Sequence, residues 1–367
     1  MRIFICVSIC LCINMFGPPG FCSGKTIFVN NVSGNDSFAG DSQNAPFRTI
    51  AQAVRRVTPG DTIRLTHTGV MYKESLVLHD VRGKKDARIV VEGNGAVISG
   101  TEDVDLNEWE EISPGLFKND GIYADRRFNM DVINRYFFLF DGKINRMNRC
   151  LKGKNVPFKK PEDLEENEWT FLENEKAFYI RLNTSEKATY IEMPVRSNGV
   201  AITGSTQYVT IKNLTCKNLY NDGFGITHSA REIRFYEIKS LYCGDDGISA
   251  HADCEFSVNG FLSEGNGTGI CDTGNSKTSY DNVTIKDCVG FDLFFLNERS
   301  GGAEHVIVNS IIYTNANSGV VFSTERADGS INIRMQNVVV NNSSKSGRGF
   351  RTLGKTYVEM KDCVFRD

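Results

Sequence analysis

The chain has 367 residues, a formal net charge of -3 and a pI near 6.0. This balance provides no basic surface of the kind that binds nucleic acid, so we expect no nucleic-acid partner. The 34 glycines against 8 prolines favour a β architecture rich in turns.

The N-terminus has the order of a secretory signal peptide. Arg2 precedes an apolar run from Ile3 to Phe16, and Gly-Pro-Pro and small residues follow up to Gly24. The run is too short for a transmembrane anchor, and no later segment is long and apolar enough to span a bilayer. We therefore expect removal of residues 1–24, a secreted or periplasmic protein without a membrane partner, and one domain over residues 25–367.

An amphipathic helix follows the first loop. Its apolar residues between Ile50 and Val57 share one face, Thr49 is suited to the N-cap, and Pro59-Gly60 ends the helix. A stack of β-coils has an open hydrophobic end with unpaired strand edges. The pattern predicts that this helix caps that end.

Residues 102–195 interrupt the repeat described below. Two aromatic-rich segments, residues 136–143 and 169–180, have the pattern of antiparallel hairpins. Their aromatic side chains form either a hairpin core or a platform for sugar rings. The charged segment between them, residues 152–168, is predicted to be a solvated loop.

A repeat organises the second half of the chain. Gly225-Ile226, Gly247-Ile248 and Gly269-Ile270 recur 22 residues apart, separated by short strands of alternating polarity. A fixed period of this length is typical of a solenoid. The pattern predicts an all-β parallel β-helix with Ile226, Ile248 and Ile270 inward in one ladder. No C-terminal cap follows the last strand, so we expect either a truncated chain or a partner on the last coil.

Seven cysteines lie beyond the leader. Cys216, Cys271 and Cys288 fall in or beside strands, which favours buried thiols. For Cys243 and Cys254, a disulfide bridge between them is an alternative to free thiols.

The N-terminal segment resembles a known family. The run GNDSFAGDSQNAPFRTIAQAVRRVTPGDTIRL is similar to the opening of secreted right-handed parallel β-helix proteins of the pectate lyase-like superfamily. The resemblance implies a right-handed parallel β-helix. It does not specify the chemistry, because that superfamily holds lyases, hydrolases, epimerases and binding modules.

A first set of candidate catalytic residues is acidic. Residues one coil apart stack in a β-helix, so Asp222 converges with Asp245 and Asp246, and their charges repel. The set resembles the polygalacturonase family, which implies a general acid and a base that activates water for inverting hydrolysis, without a cofactor. His251 would replace the histidine of the family's Gly-His-Gly element, since Gly265-Asn266-Gly267 stands in that place.

A second set indicates a lyase. Asp272, Lys277 and Arg299 resemble a pattern of the chondroitinase B and alginate lyase family, in which a lysine and an arginine abstract a proton beside calcium. Calcium and arginine would neutralise the uronate carboxylate. In that interpretation the calcium ligands are Asp245, Asp246 and Asp272.

Three functions therefore remain open. The acidic cluster favours hydrolysis of an acidic polysaccharide, and the lysine and arginine favour a calcium-dependent polysaccharide lyase. Because Asp and Asn commonly cap coil corners, a glycan-binding β-helix without catalysis is the third. An unsaturated product that absorbs ultraviolet light would identify the lyase.

Overall fold

The computed structural model describes residues 24–183, 189–325 and 328–367. The predicted signal peptide lies outside these ranges except for Gly24, so its removal and the secretion inferred from it stay predictions. Within the described ranges, no helix combines the length and the hydropathy that a bilayer crossing needs.

The repeating unit is a coil built from parallel strands, as predicted. Each coil adds one strand to a short sheet and one longer strand to a long sheet. The longer strands bend at residues with left-handed backbone, such as Asn213 (φ 52), Asn282 (φ 56) and Asn337 (φ 54). Asparagine tolerates this conformation, so the sequence sets where each coil turns.

The two sheets account for most strands of the described chain. The long sheet comprises Thr26–Val29, Thr62–Leu65, Ile89–Glu92, Val97–Ser99, Gln207–Lys212, Thr215–Lys217, Arg231–Leu241, Glu255–Glu264, Lys277–Lys286, Gly302–Tyr313, Ser330–Asn341, Thr356–Lys361 and Val364–Phe365. The short sheet comprises Leu76–His79, Val200–Thr203, Phe224–Ile226, Asp246–Ala250, Thr268–Thr273, Phe291–Leu296, Val320–Ser323 and Phe350–Leu353.

The helices and the excursion complete the secondary structure. The α-helices are Ile50–Val54, Gly121–Asp125 and Met130–Asn134, and the 3₁₀ helices are Leu106–Glu108, Pro161–Asp163 and Ser343–Lys345. One antiparallel sheet of the excursion holds Thr101–Asp103, Phe138–Phe140, Lys143–Asn145 and Ile191–Pro194, and the other holds Glu110–Ser113, Leu116–Asn119, Glu168–Leu172 and Ala177–Arg181.

The predicted single ladder of isoleucines is only partly correct. Ile248 pairs with Ile270, but its partner in the preceding coil is Phe224. Ile226 pairs instead with Ala250. The Gly-Ile interval of 22 residues therefore measures the coil that starts at Ile248, whereas the preceding coil is two residues longer.

The two extra residues have separate locations. One is a bulge at Glu232, whose backbone is left-handed (φ 55), because the pairing interval to the next coil falls from 24 residues at Ile226 to 23 at Ile233. The other lies in the corner before Asp246, where the interval falls from 23 at Leu241 to 22 at Asp246. The longer corner carries the adjacent pair Asp245-Asp246.

Two features of the excursion and the N-terminal end match the sequence analysis. The Thr49 side chain caps the helix Ile50–Val54 by accepting a hydrogen bond from the Gln52 N–H, and the helix packs on the first strands. The aromatic residues of the excursion form its own buried core, with Trp169 and Phe178 fully enclosed, so the alternative of a sugar platform there is wrong.

All seven cysteines of the described chain are free thiols, and no bridge joins Cys243 to Cys254.

Ile248→Ala is expected to lower the free energy of unfolding by about 2–5 kcal/mol, because it leaves a cavity in a closed interior. Ile248 has no exposed surface. Urea unfolding followed by circular dichroism measures the change. The control is Val77→Ala on the short sheet, where the side chain is 49% exposed and a change within about 0.5 kcal/mol is expected. Equal midpoints for the two variants would contradict the inward orientation of Ile248.

Candidate active site

Two successive coil corners bring the acidic residues together, as predicted. Asp245 and Asp246 end the corner that leads into the strand Asp246–Ala250, and Asp222 precedes the strand Phe224–Ile226 one coil earlier. Because Phe224 pairs with Ile248, Asp222 and Asp246 occupy matching positions. The side chains of all three aspartates are buried.

Asn266 fixes the corner from the next coil. Its Oδ1 accepts a hydrogen bond from the Cys243 N–H at 2.7 Å, and its Nδ2 donates to Ser263 Oγ at 2.8 Å and to the Ser240 carbonyl at 3.0 Å. The side chain is fully buried. The Gly-Asn-Gly element, which replaces the histidine of the resembled family, therefore has a structural role in this chain.

Asp222, Asp246 and His251 form a compact triad. One oxygen of each aspartate and one ring nitrogen of His251 lie within 4.8 Å of one another. Asp222 accepts hydrogen bonds from Ser249 Oγ at 2.8 Å and from the Asp246 N–H at 3.2 Å. His251 Nδ1 lies 2.8 Å from Thr273 Oγ1, and this contact orients the ring.

The excursion supplies two cations that the sequence analysis missed. Lys152 Nζ lies 2.5 Å from Asp246 Oδ1 and 2.9 Å from Asp245 Oδ1. Arg135 Nη1 lies 2.7 Å from Asp245 Oδ2. The interpretation of residues 152–168 as a solvated loop is therefore wrong at its first residue. The excursion lies outside the coil repeat, so no spacing in the sequence indicated this contact.

These surroundings shift the pKa values of the three carboxyl groups in different directions. Burial raises the pKa of Asp246 well above its usual range and the charge of Asp245 adds to this, while Lys152 opposes it. Burial and the charge of Asp245 also raise the pKa of Asp222, against His251, Lys152 and Ser249. Burial acts on Asp245 in the same direction, but Lys152 and Arg135 outweigh it and lower the pKa of Asp245.

The charges around Asp222 and Asp246 favour coupled titration of these two carboxyl groups. Asp245 is ionised beside Lys152 and Arg135, and Lys152 supplies the positive charge nearest to Asp246. Two further ionised carboxylates at this spacing would repel each other in a buried setting. Asp222 and Asp246 both have raised pKa values and therefore titrate as a coupled pair.

The residues of the predicted lyase site do not converge. Lys277 is exposed on the long sheet, 3.4 Å from Glu304. Arg299 is exposed in a loop, 3.7 Å from Asp253. Both side chains pair with acidic residues other than the predicted calcium ligands, so no contact among the described residues joins them to Asp245, Asp246 or Asp272.

The predicted calcium ligands do not fit calcium. Asp272 points into the core, where it accepts hydrogen bonds from Thr278 Oγ1 at 2.6 Å and from the Tyr280 hydroxyl at 2.9 Å. The oxygens of Asp245 and Asp246 are taken by the Lys152 ammonium and the Arg135 guanidinium. Calcium requires six to eight oxygen ligands, so the combination of Asp272 with Asp245 and Asp246 is wrong.

Comparisons with known proteins agree with the fold. A family model described as a right-handed β-helix region matches residues 198–367. The match covers less than half of the chain, and the structure has the parallel β-helix fold that this description names. This confirms the architecture that the resemblance to the pectate lyase-like superfamily implied.

Solved structures share the β-helix at low sequence identity. XylC in complex with xylose superposes with a TM-score of 0.53 and 13% identity, over 91% of this chain and 70% of that one. A protein described as a glycoside hydrolase gives a TM-score of 0.50 and 10% identity, over 94% and 96%. At these identities the similarity establishes the fold alone.

A curated relative is similar over a shorter region. The lacto-N-biosidase of Bifidobacterium longum is 27% identical over 121 residues, which is 30% of this β-helix protein. The match spans only 8% of the length of that relative.

Proposed function

We propose that this β-helix protein hydrolyses a glycosidic bond, with Asp222 and Asp246 as the two catalytic carboxyl groups. The observation that carries the proposal is the pair itself: two buried carboxyls with oxygens within 4.8 Å of each other and raised pKa values. A protonated carboxyl beside an ionised one is what glycoside hydrolysis requires. A role as turn caps alone would not require the Lys152 ammonium beside Asp246.

The separation favours a retaining mechanism. Inverting glycosidases hold their carboxyls about 6.5–9.5 Å apart to admit water, whereas retaining ones hold them about 5–5.5 Å apart. The nearest oxygens of Asp222 and Asp246 lie no more than 4.8 Å apart, which is closer to the retaining arrangement than to the inverting one expected from the polygalacturonase resemblance. In the retaining scheme one group protonates the leaving oxygen while the other attacks the anomeric carbon, and the first then deprotonates the water that releases the product.

The charges favour an uncharged sugar at the point of cleavage. Lys152 and Arg135 are both engaged by carboxylates of the protein, so neither is free to neutralise a uronate. A uronate carboxylate placed here would be repelled by the aspartates. This argument favours a neutral sugar over the acidic polysaccharide that the sequence resemblance implied.

The comparisons support a carbohydrate substrate. The curated relative is a lacto-N-biosidase, and the two fold neighbours are a xylose complex and a glycoside hydrolase. Their names motivate a panel of neutral glycans that includes xylose-based and lacto-N-biose-containing oligosaccharides.

Incubation of the protein with that panel and with oligogalacturonate tests the proposal. We expect new reducing ends from a neutral glycan and no ultraviolet-absorbing unsaturated product. Proton NMR of the first product is expected to show the anomeric configuration of the substrate. Asp253→Asn, which changes an exposed aspartate near the same coil, serves as the control and is expected to keep full activity.

Three results would contradict the proposal. An unsaturated product or a requirement for added calcium would indicate a lyase. Inversion at the anomeric carbon would exclude the assigned pair as acid and nucleophile. Binding of a glycan without any turnover would indicate a binding module.

A further inference from the structure

Two rows of paired residues lead away from the carboxyl pair across the strands of the short sheet. Successive strand pairings connect Asp246 through Thr268 to Phe291. The neighbouring row runs from Ser249 through Cys271 to Phe294 in the same strands. Because paired strands lie about 4.8 Å apart, the two phenylalanines lie about 9.6 Å along the helix axis from the carboxyl pair.

The two phenylalanine rings stack on each other. Their centroids are 4.7 Å apart and their planes differ by 26°. Phe291 is only 8% exposed, and the Arg348 guanidinium covers it at 4.3 Å from the ring centroid. Phe294 remains partly exposed, so Phe294 presents the accessible ring and Phe291 supports it from below.

Only part of the strand between this ring and the carboxyl pair is exposed. Thr268 and Cys271 of that strand are buried, and the Lys152 ammonium lies 3.5 Å from Cys271 Sγ. Thr273 stays partly exposed, as does His251, which contacts it. Arg348 belongs to the far side of the phenylalanine pair, where its Nε donates to the Asn317 carbonyl at 3.3 Å. A ligand that runs from the carboxyl pair to Phe294 would therefore pass over His251 and Thr273.

We propose that Phe294, supported by Phe291, is a subsite for an uncharged sugar ring of the substrate. The proposal rests on the proposed function and deepens it, because it places the glycan along the helix axis from the carboxyl pair towards the C-terminal coils. The C–H face of a pyranose matches a flat exposed aromatic ring in size and polarity, and the burial of both surfaces is favourable. An aromatic body with polar groups around it is also typical of small-ligand sites.

Phe294→Ala tests the subsite when it is combined with Asp246→Asn, so that binding is measured without turnover. Isothermal titration calorimetry with neutral oligosaccharides of increasing length is the measurement. We expect the Kd of chains long enough to reach the subsite to increase about tenfold, which corresponds to about 1.4 kcal/mol. Chains too short to span two coils are expected to bind both proteins equally.

Tyr236→Ala in the same Asp246→Asn background is the matched control. Tyr236 is a 39% exposed aromatic residue on the long sheet, and its removal is expected to leave the Kd unchanged. An unchanged Kd in the Phe294→Ala protein would contradict the subsite while leaving hydrolysis intact. Tighter binding of oligogalacturonate than of neutral chains would do the same. A parent protein that neither binds nor cleaves any chain would refute the hydrolase and the subsite together.

Discussion

Asp246→Asn is expected to reduce kcat/KM on a neutral glycan by about 10²- to 10⁴-fold, the range that a positioned acid or base contributes. The amide keeps the shape of the side chain but can neither donate the catalytic proton nor attack as a carboxylate. Steady-state assays of reducing ends measure the loss. Asp222→Asn is expected to be at least as damaging, because each group performs a role that the other cannot perform at the same time.

Azide distinguishes the two roles. If the replaced residue is the acid and base, azide should restore turnover and give a glycosyl azide with the configuration of the substrate. If the replaced residue is the nucleophile, the azide product should have the opposite configuration. Full activity in either asparagine variant would contradict the assignment of the pair.

The direction of the change in stability caused by Asp246→Asn follows from the pKa of Asp246. Burial raises the pKa of Asp246 in the folded protein, so between the unfolded and folded pKa values the native state binds a proton that the unfolded state lacks. Stability therefore falls as the pH rises through that window. The amide removes this dependence, so the variant is expected to be at least as stable as the parent at pH 7. Thermal unfolding at several pH values checks the sign, and marked destabilisation would indicate that Asp246 mainly caps its turn.

Lys152→Met is expected to have the second large effect. Its side chain is 22% exposed and contacts both Asp245 and Asp246, so its removal leaves carboxylates partly unpaired in a buried place. Breaking a buried ion pair in this way typically destabilises by about 3–5 kcal/mol. Without Lys152 the pKa values of the catalytic pair rise, so both limbs of the pH–rate profile are expected to move to higher pH.

The pH dependence separates this effect from a loss of packing. Without Lys152, protonation of a carboxyl at Asp245 or Asp246 relieves the repulsion between these side chains. The destabilisation caused by Lys152→Met should therefore be smaller at pH 5 than at pH 8. Lys152→Arg, which keeps the charge, is expected to retain most of the stability. Lys154→Met changes an exposed lysine of the same segment and should alter neither property. A pH profile identical to that of the parent would contradict the role of Lys152 at the pair.

The architecture could be predicted because each coil repeats the same local sequence pattern. The alternation of apolar residues gave the strands, and asparagines such as Asn282 marked the bends through their tolerance of left-handed backbone. The capping helix after Thr49 and the hairpins of the excursion were equally local. The register was less accessible, because the Gly-Ile spacing gave no sign of the two extra residues between Phe224 and Ile248.

The candidate site was also predicted only where it depends on the stacking of successive coils. Stacking of successive coils was enough to bring Asp222 to Asp246, since both precede equivalent strands. The same reasoning failed for Asp272, because inward or outward orientation depends on register, and its strand turns that carboxyl into the core towards Tyr280.

The sequence by itself determined the β-helix, its interrupted repeat and the convergence of three aspartates. These features arise from interactions between residues at the coil period, where order along the chain and order in space coincide. The tertiary structure alone decided which carboxyl is neutralised, since Lys152 and Arg135 reach Asp245 from an excursion about 100 residues earlier in the chain. It also decided that Phe291 and Phe294 stack two coils along the helix axis from the carboxyl pair. Contacts across such a separation depend on how the excursion and the coils pack, and no period in the sequence encodes that packing.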